Sequence, residues 1–130
     1  MPTATSMLLD WTTVYTDSQS DVFLPSGSFR PAVGVVEFRA MAEVRGRVGN
    51  MLVIPAFQAC VDPRNPDAAT SIKLAGGDAS GYANANGYFD FDSNMVAMPA
   101  GKLYYRPGLV VKVSSGTGAA RVWATIQALL

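Results

Sequence analysis

The stretch Val35-Val36-Glu37-Phe38-Arg39-Ala40-Met41-Ala42-Glu43-Val44-Arg45, continued by Gly46-Arg47-Val48-Gly49-Asn50 and Met51-Leu52-Val53-Ile54-Pro55-Ala56-Phe57-Gln58-Ala59-Cys60, decides the fold class. Val36, Phe38, Ala40, Ala42 and Val44 fall on even positions, and Glu37, Arg39, Met41, Glu43 and Arg45 on odd ones. Alternation with a period of two is the pattern of a strand with one face on a core and the other on water. A helix would scatter the same charges around its axis. Arg47-Val48-Gly49-Asn50 interrupts the pattern with residues that tolerate a left-handed backbone, so a tight hairpin turn is expected there. Met51 to Cys60 resumes as a second, more apolar strand. Pro55 has no N–H for a ladder, which predicts an edge or a bulge at that point.

Working outward, Met7 to Tyr15 reads as a strand whose odd positions (Met7, Leu9, Trp11, Thr13, Tyr15) form the large, mostly apolar side. Residues 1–6 read as a loose polar tail. Val22-Phe23-Leu24 is a short strand, and Ser28 to Gly34 suits an extended connection between two sheets. Residues 61–70 and 75–87 read as loops, and loops this long in a compact domain tend to be functional or contact-forming. Ser71 to Leu74, Tyr88 to Asp92 and Met95 to Met98 are further short strands. Leu103-Tyr104-Tyr105 is expected to be interrupted at Arg106-Pro107-Gly108. Leu109–Ser115 and Ala119–Leu130 then read as a second hairpin around Gly116-Thr117-Gly118. In its second arm Val122, Ala124, Ile126 and Ala128 face inward, which turns Arg121, Trp123, Thr125 and Gln127 outward. The count is seven to nine strands and no helix. The predicted fold is all-β: one domain over residues 1–130, an antiparallel, jelly-roll-like β-sandwich.

The chain has 130 residues, no histidine, one cysteine and zero formal net charge. Neutrality gives no electrostatic reason to expect nucleic acid or an anionic membrane as partner. The charged fraction is 15 %, against about 25 % in typical soluble domains. Two readings follow: a large core under a Ser/Thr/Asn-rich surface, or a surface normally covered by other subunits. The single Cys60 precludes an internal disulfide, and its place at the end of an apolar strand suits a buried structural thiol. The N-terminus lacks the basic and apolar regions of a secretion signal.

Without histidine there is no Ser-His-Asp or Cys-His catalysis, no histidine metal site and no usual general base near neutral pH. The only glutamates, Glu37 and Glu43, lie six residues apart on one strand face. That separates them by about 20 Å, well beyond the roughly 5–10 Å of a glycosidase pair. Asp90 and Asp92 share a strand face, and Asp62, Asn65 and Asp67 share a loop. Either set could contribute to a calcium site, although neither has the spacing of a calcium-loop motif, and Asx residues in turns usually cap their own backbone. Gly76, Gly77 and Gly81 lack the spacing of a phosphate cradle. No catalytic, cofactor-binding or metal-binding residues are assigned, and no cofactor is expected.

The remaining candidates point to protein contact. Glu37, Arg39, Glu43 and Arg45 form either a solvated charged face or an interface whose charges set register. Arg121 and the outward Trp123 lie on another polar strand face, where the indole suits partial burial, a protein contact or a sugar platform. Tyr88, Tyr104 and Tyr105 are weaker cases of the same kind. Leu129 and Leu130 end the sequence without a polar tail, packed on their own sheet or on a neighbour.

The segment Gly101-Lys102-Leu103-Tyr104-Tyr105-Arg106-Pro107-Gly108-Leu109-Val110-Val111-Lys112-Val113, with Ala120-Arg121-Val122-Trp123-Ala124-Thr125-Ile126, resembles small β-sandwich structural proteins of tailed bacteriophages. Val36–Arg47 and Val53-Ile54-Pro55-Ala56-Phe57-Gln58 share the likeness, so that about half the chain carries it. It lies in long alternating strands, Gly-rich turns and sparse charge, and transfers no functional residue. The resemblance implies a non-enzymatic virion component, such as a capsid decoration or cement protein or a head or tail accessory protein. Its partners would be other virion proteins or copies of itself, in a homo-oligomer or bound to a lattice. Its location would be the virion, assembled in the host cytoplasm. The runner-up from the residues is a carbohydrate-binding β-sandwich module using Trp123 and the tyrosines, with calcium as a structural ion. An enzyme built on Asp90 and Asp92 ranks third.

Overall fold

The computed structural model describes residues 4–65, 70–74, 81–90 and 96–130, with backbone alone for residues 4–9, Thr70 and Asp90. Among them are ten strands and no helix: β1 (Ala4–Thr16), β2 (Val22–Pro25), β3 (Arg30–Pro31), β4 (Glu37–Val48), β5 (Met51–Cys60), β6 (Thr70–Lys73), β7 (Gly87–Asp90), β8 (Val96–Ala97), β9 (Tyr104–Val113) and β10 (Gly118–Leu129). The first sheet runs β1-β10-β4-β7, with β8 also on β4; the second runs β2-β9-β5-β6, with β3 also on β9. All pairings are antiparallel. Leaving out the two-residue strands β3 and β8, every connection except β5 to β6 passes from one sheet to the other. Two four-stranded sheets linked in this way form a jelly roll.

This topology corrects both expected hairpins. β4 pairs with β10, and β5 pairs with β9. The turns at Gly49-Asn50 and Gly116-Thr117 are therefore arches from sheet to sheet. The cause lies in the apolar pattern: a hairpin would set the inner face of β4 beside β5, whereas an arch sets it opposite. Phe38 of β4 then stacks on Phe57 of β5 across the sandwich, ring centroids 4.0 Å apart, and Tyr105 meets Phe38 edge-on at 5.2 Å. The inner residues of the first sheet are mostly small or β-branched (Ala40, Ala42, Val44, Val122, Ala124, Ala128) and fill against bulkier ones of the second (Met51, Phe57, Leu109, Val111). The two arches lie against each other. Gly49 has φ 69°, and a Cβ there would stand 2.3 Å from the Thr117 carbonyl oxygen, so only glycine fits.

Four further expectations change. Ala4, Thr5 and Ser6 belong to no loose tail: they pair with Leu129, Ala128 and Gln127 and satisfy the edge of β10. β9 continues through Arg106-Pro107-Gly108. Pro107 lies opposite Phe57, and the proline's missing N–H falls between the stretches where β2 and β3 pair. Gly108 lets β2 approach, since a Cβ there would lie 2.3 Å from the Leu24 carbonyl oxygen. Pro55 is on an internal strand, at another interruption: its carbonyl accepts from Leu74, where β6 has ended, and the next bridge on that side is Val53 to Ala83. The fourth change concerns β1. A bulge between Leu9 and Thr12 inserts an extra residue and reverses the alternation after it. Val14 and Thr16 are consequently buried while Trp11, Thr13 and Tyr15 face out.

Candidate assembly face

The register of the first sheet gathers most of the charged and aromatic candidates on its outer face. Glu37, Arg39, Met41, Glu43 and Arg45 alternate outward along β4. Across the ladder they meet Leu129, Gln127, Thr125, Trp123 and Arg121 of β10, in that order. Seven of the eight sequence candidates thus share one surface. Leu130 follows at its end and is 39 % exposed. Trp123 lies opposite Glu43 and is half-buried.

Besides Thr125 and Gln127, three residues outside those eight join this face. Trp11 is swung outward by the β1 bulge, which Asp10 holds by accepting from the Trp11 N–H at 2.9 Å. The Arg45 and Arg121 guanidiniums lie over its indole, 5.5 and 5.6 Å from the centroid. Such contacts contribute roughly 0.5–1 kcal/mol each at exposed sites. They offset a cross-strand like-charge pair, because Arg45 and Arg121 are direct ladder partners, an arrangement that is otherwise unfavourable. Glu43 balances one of the two through a 2.9 Å contact with Arg45. Met41 and Tyr88 complete the set, the Tyr88 hydroxyl donating to the Met41 sulfur. Arg39 donates to the Gln127 side-chain oxygen. In the sequence Trp11 could not be placed here, because the bulge that turns it out breaks the alternation used to read it.

The outer face of the second sheet is arranged differently. Ile54 and Val110 are cross-strand partners pointing away from the core between the sheets, yet both are 1 % exposed. The chain roofs them. Tyr82 lies across this face beneath Lys112, whose Nζ is 4.6 Å from the ring. Its hydroxyl donates to Asp21 at 2.6 Å, and Lys73 donates to both Asp21 and Tyr82. Burial opposes ionisation of Asp21, but these two hydrogen bonds outweigh it and hold the carboxyl below its ordinary pKa. Burial and Asp21 together raise the Tyr82 hydroxyl. At the other end Arg106 lies over Phe29 and Phe23 and donates to Gln58.

The other sequence candidates separate from these faces. Asp62 accepts from the backbone and side chain of Arg64 and caps its own turn. Asp67 and Asp92 lie outside the described residues, as does the Asp90 side chain. Among the described residues no three His, Cys, Asp or Glu side chains cluster to hold a metal ion. Cys60 is buried, and burial raises its thiol pKa. Tyr105 is a core residue, and Tyr104 borders an open cleft with Val61, Asp62, Pro63, Arg64 and Leu103.

No protein-family model and no curated protein matches the sequence. Solved structures do match its fold. The structure of the Gx strain of infectious bursal disease virus aligns with 100 % of this chain at TM-score 0.64 and 9 % identity. The VP2 subviral particle of the same virus aligns with 99 % at 0.64 and 7 %, and its derived T=1 particles with 98 % at 0.57 and 10 %. In each, the aligned part is 32 % of the solved chain, so this chain spans about a third of their length. At such identities the likeness is one of fold: the whole chain is arranged as one β-sandwich portion of a virus-particle protein.

Proposed function

We propose that this chain is a non-enzymatic structural protein of a virus particle that works by packing against other virion proteins or copies of itself. One observation carries the reading. One outer face of the sandwich is roofed by the chain, while the other presents Trp11, Trp123, Met41 and Tyr88 among paired charges with no roof among the described residues. Aromatic, Met and Arg side chains are enriched at protein interfaces. The fold match to virus-particle proteins supports the same reading, as does a sequence without histidine or a close carboxylate pair of glutamates. The location would be the virion, after assembly in the host cytoplasm.

A capsid decoration or cement protein, or a head or tail accessory protein of a tailed phage, is the narrower form of this proposal. It rests on the strand texture. The solved neighbours come from infectious bursal disease virus, not a phage, and their support stops at the virus particle. A glycan platform is less favoured, because Trp11 already carries two guanidiniums and Trp123 is half-buried.

Electron microscopy of the concentrated, purified chain tests the proposal. Discrete oligomers, layers or closed particles are expected. Dispersed single molecules of 13.8 kDa at every concentration would contradict self-packing.

A further inference from the structure

The outward residues of β4 read Glu37, Arg39, Met41, Glu43, Arg45. Their charges run negative, positive, neutral, negative, positive, and they invert about Met41. Glu37 and Arg45 are each four residues from Met41, and Arg39 and Glu43 are each two. The register with β10 stays one-for-one from Glu37 to Arg45, so the spacing is even, about 26 Å from Glu37 to Arg45 at roughly 3.3 Å per residue. A surface with this pattern is complementary to itself when turned end for end.

We infer that a second copy of this chain docks on the outer face of the β1-β10-β4-β7 sheet, related by a two-fold axis through the level of Met41. This deepens the proposed packing role and rests on it. Such an axis, lying between the faces and across the strands, sets β4 antiparallel over the partner's β4. Glu37 then faces the partner's Arg45, and Arg39 faces the partner's Glu43. The symmetry repeats both contacts, which is the signature of an isologous interface. Stacked sheets cross at about 30°, which displaces residues at the ends of the strands sideways. At the Arg45 end the next strand over carries Arg121, about 4.8 Å away. Displacement toward β10 keeps Glu37 facing a guanidinium, that of Arg121. The exposed apolar residues at the ends agree. Tyr15 and Val48 border one end of the sheet, Val36 and Leu130 the other, and the same operation brings unlike ends together.

The second copy is preferred over an unrelated acidic or basic partner because the β4 row of the face carries both signs in an order that matches itself. A partner of one sign would leave Glu37 and Glu43, or Arg39, Arg45 and Arg121, facing like charge, which is costly at an interface.

The test uses the whole chain and three variants: Glu37→Arg, Arg45→Glu and the double variant. Light scattering and sedimentation give the dissociation constant of each, and circular dichroism with thermal melting shows that each is folded. Glu37→Arg and Arg45→Glu should each weaken self-association about tenfold or more, since like charges would then face each other twice. Mixing these two singles should restore association as a heterodimer. The substituted position 37 of one chain then faces the substituted position 45 of the other with opposite charge, and the native pair remains at the second contact. The double variant should recover most of the native affinity. Because the two positions are about 26 Å apart within one chain, rescue can only be intermolecular. Native self-association that neither single variant changes, or singles that fail to associate when mixed, would overturn this docking geometry and leave the virion role standing. A native chain that never associates would overturn this docking and self-packing alike, leaving packing against other virion proteins as the surviving form of the role.

Discussion

The two outer faces of the sandwich are each built on two long central strands, yet among the described residues only one is closed by the chain. On β5 and β9 the outward residues include Ile54, Ala56 and Val110, all buried, in one apolar cluster with Tyr82 and with Phe23 packed against it. On β4 and β10 the outward residues are charged, aromatic or half-buried, and the residues around them add side chains without covering them. The apolar demand of the second sheet's outer face is met within the chain, and that of the first is open to a neighbour. Apolar strand residues on both faces require a roof. A face that alternates charge with Met and Trp can stand in water alone and still gain from being covered.

Truncation of outward residues should affect the two faces very differently. Ile54→Ala removes a roofed residue and should cost about 2–5 kcal/mol, as in any core truncation, measured by denaturant unfolding. If it costs no more than an exposed substitution, the second sheet has no true roof. Next in size is Gly108→Ala. Its Cβ would press on the Leu24 carbonyl and the Phe23 ring, lifting the strand that carries part of the roof, at about 1–3 kcal/mol.

Tyr82→Phe keeps the ring and removes the hydroxyl shared with Asp21 and Lys73. A loss of about 1–2 kcal/mol is expected by thermal melting. The same cluster gives the roof a pH dependence. Asp21 has a depressed folded pKa, so its stabilisation is present above the ordinary carboxylate value near 4 and is lost as pH falls through the lower folded value. Asp21→Asn should flatten that acid limb of the stability curve. The smallest effect belongs to the open face: Thr125→Ala should change the stability of the isolated chain by no more than about 0.5 kcal/mol. A loss of several kcal/mol would mean that this face, too, is sealed from within.

The legible part of this molecule was its local alternation. Glu37 to Arg45 and Arg121 to Gln127 could be assigned inward and outward from the sequence because period two survives in both. The sandwich followed from that. The partner of each strand could not be read, since Gly49-Asn50 serves a hairpin and an arch equally well; the choice was made by Phe38 and Phe57 meeting across the core. Trp11 was misread because a bulge two residues wide changes the face of everything after it. The roof was invisible for another reason. Asp21, Lys73 and Tyr82 are separated by up to 61 residues and converge only when β2 and β6 take their places at opposite edges of one sheet.

The open face of the first sheet is proposed as the packing surface, and solution mass across a concentration range tests this. Three chains would be compared: native, Thr125→Asp at the middle of the open face, and Lys112→Glu on the roofed one. The native and Lys112→Glu chains should gain mass with concentration, while Thr125→Asp should stay at 13.8 kDa with an unchanged fold. A native chain that remains monomeric, or a folded Thr125→Asp chain that associates as well as the native one, would contradict it.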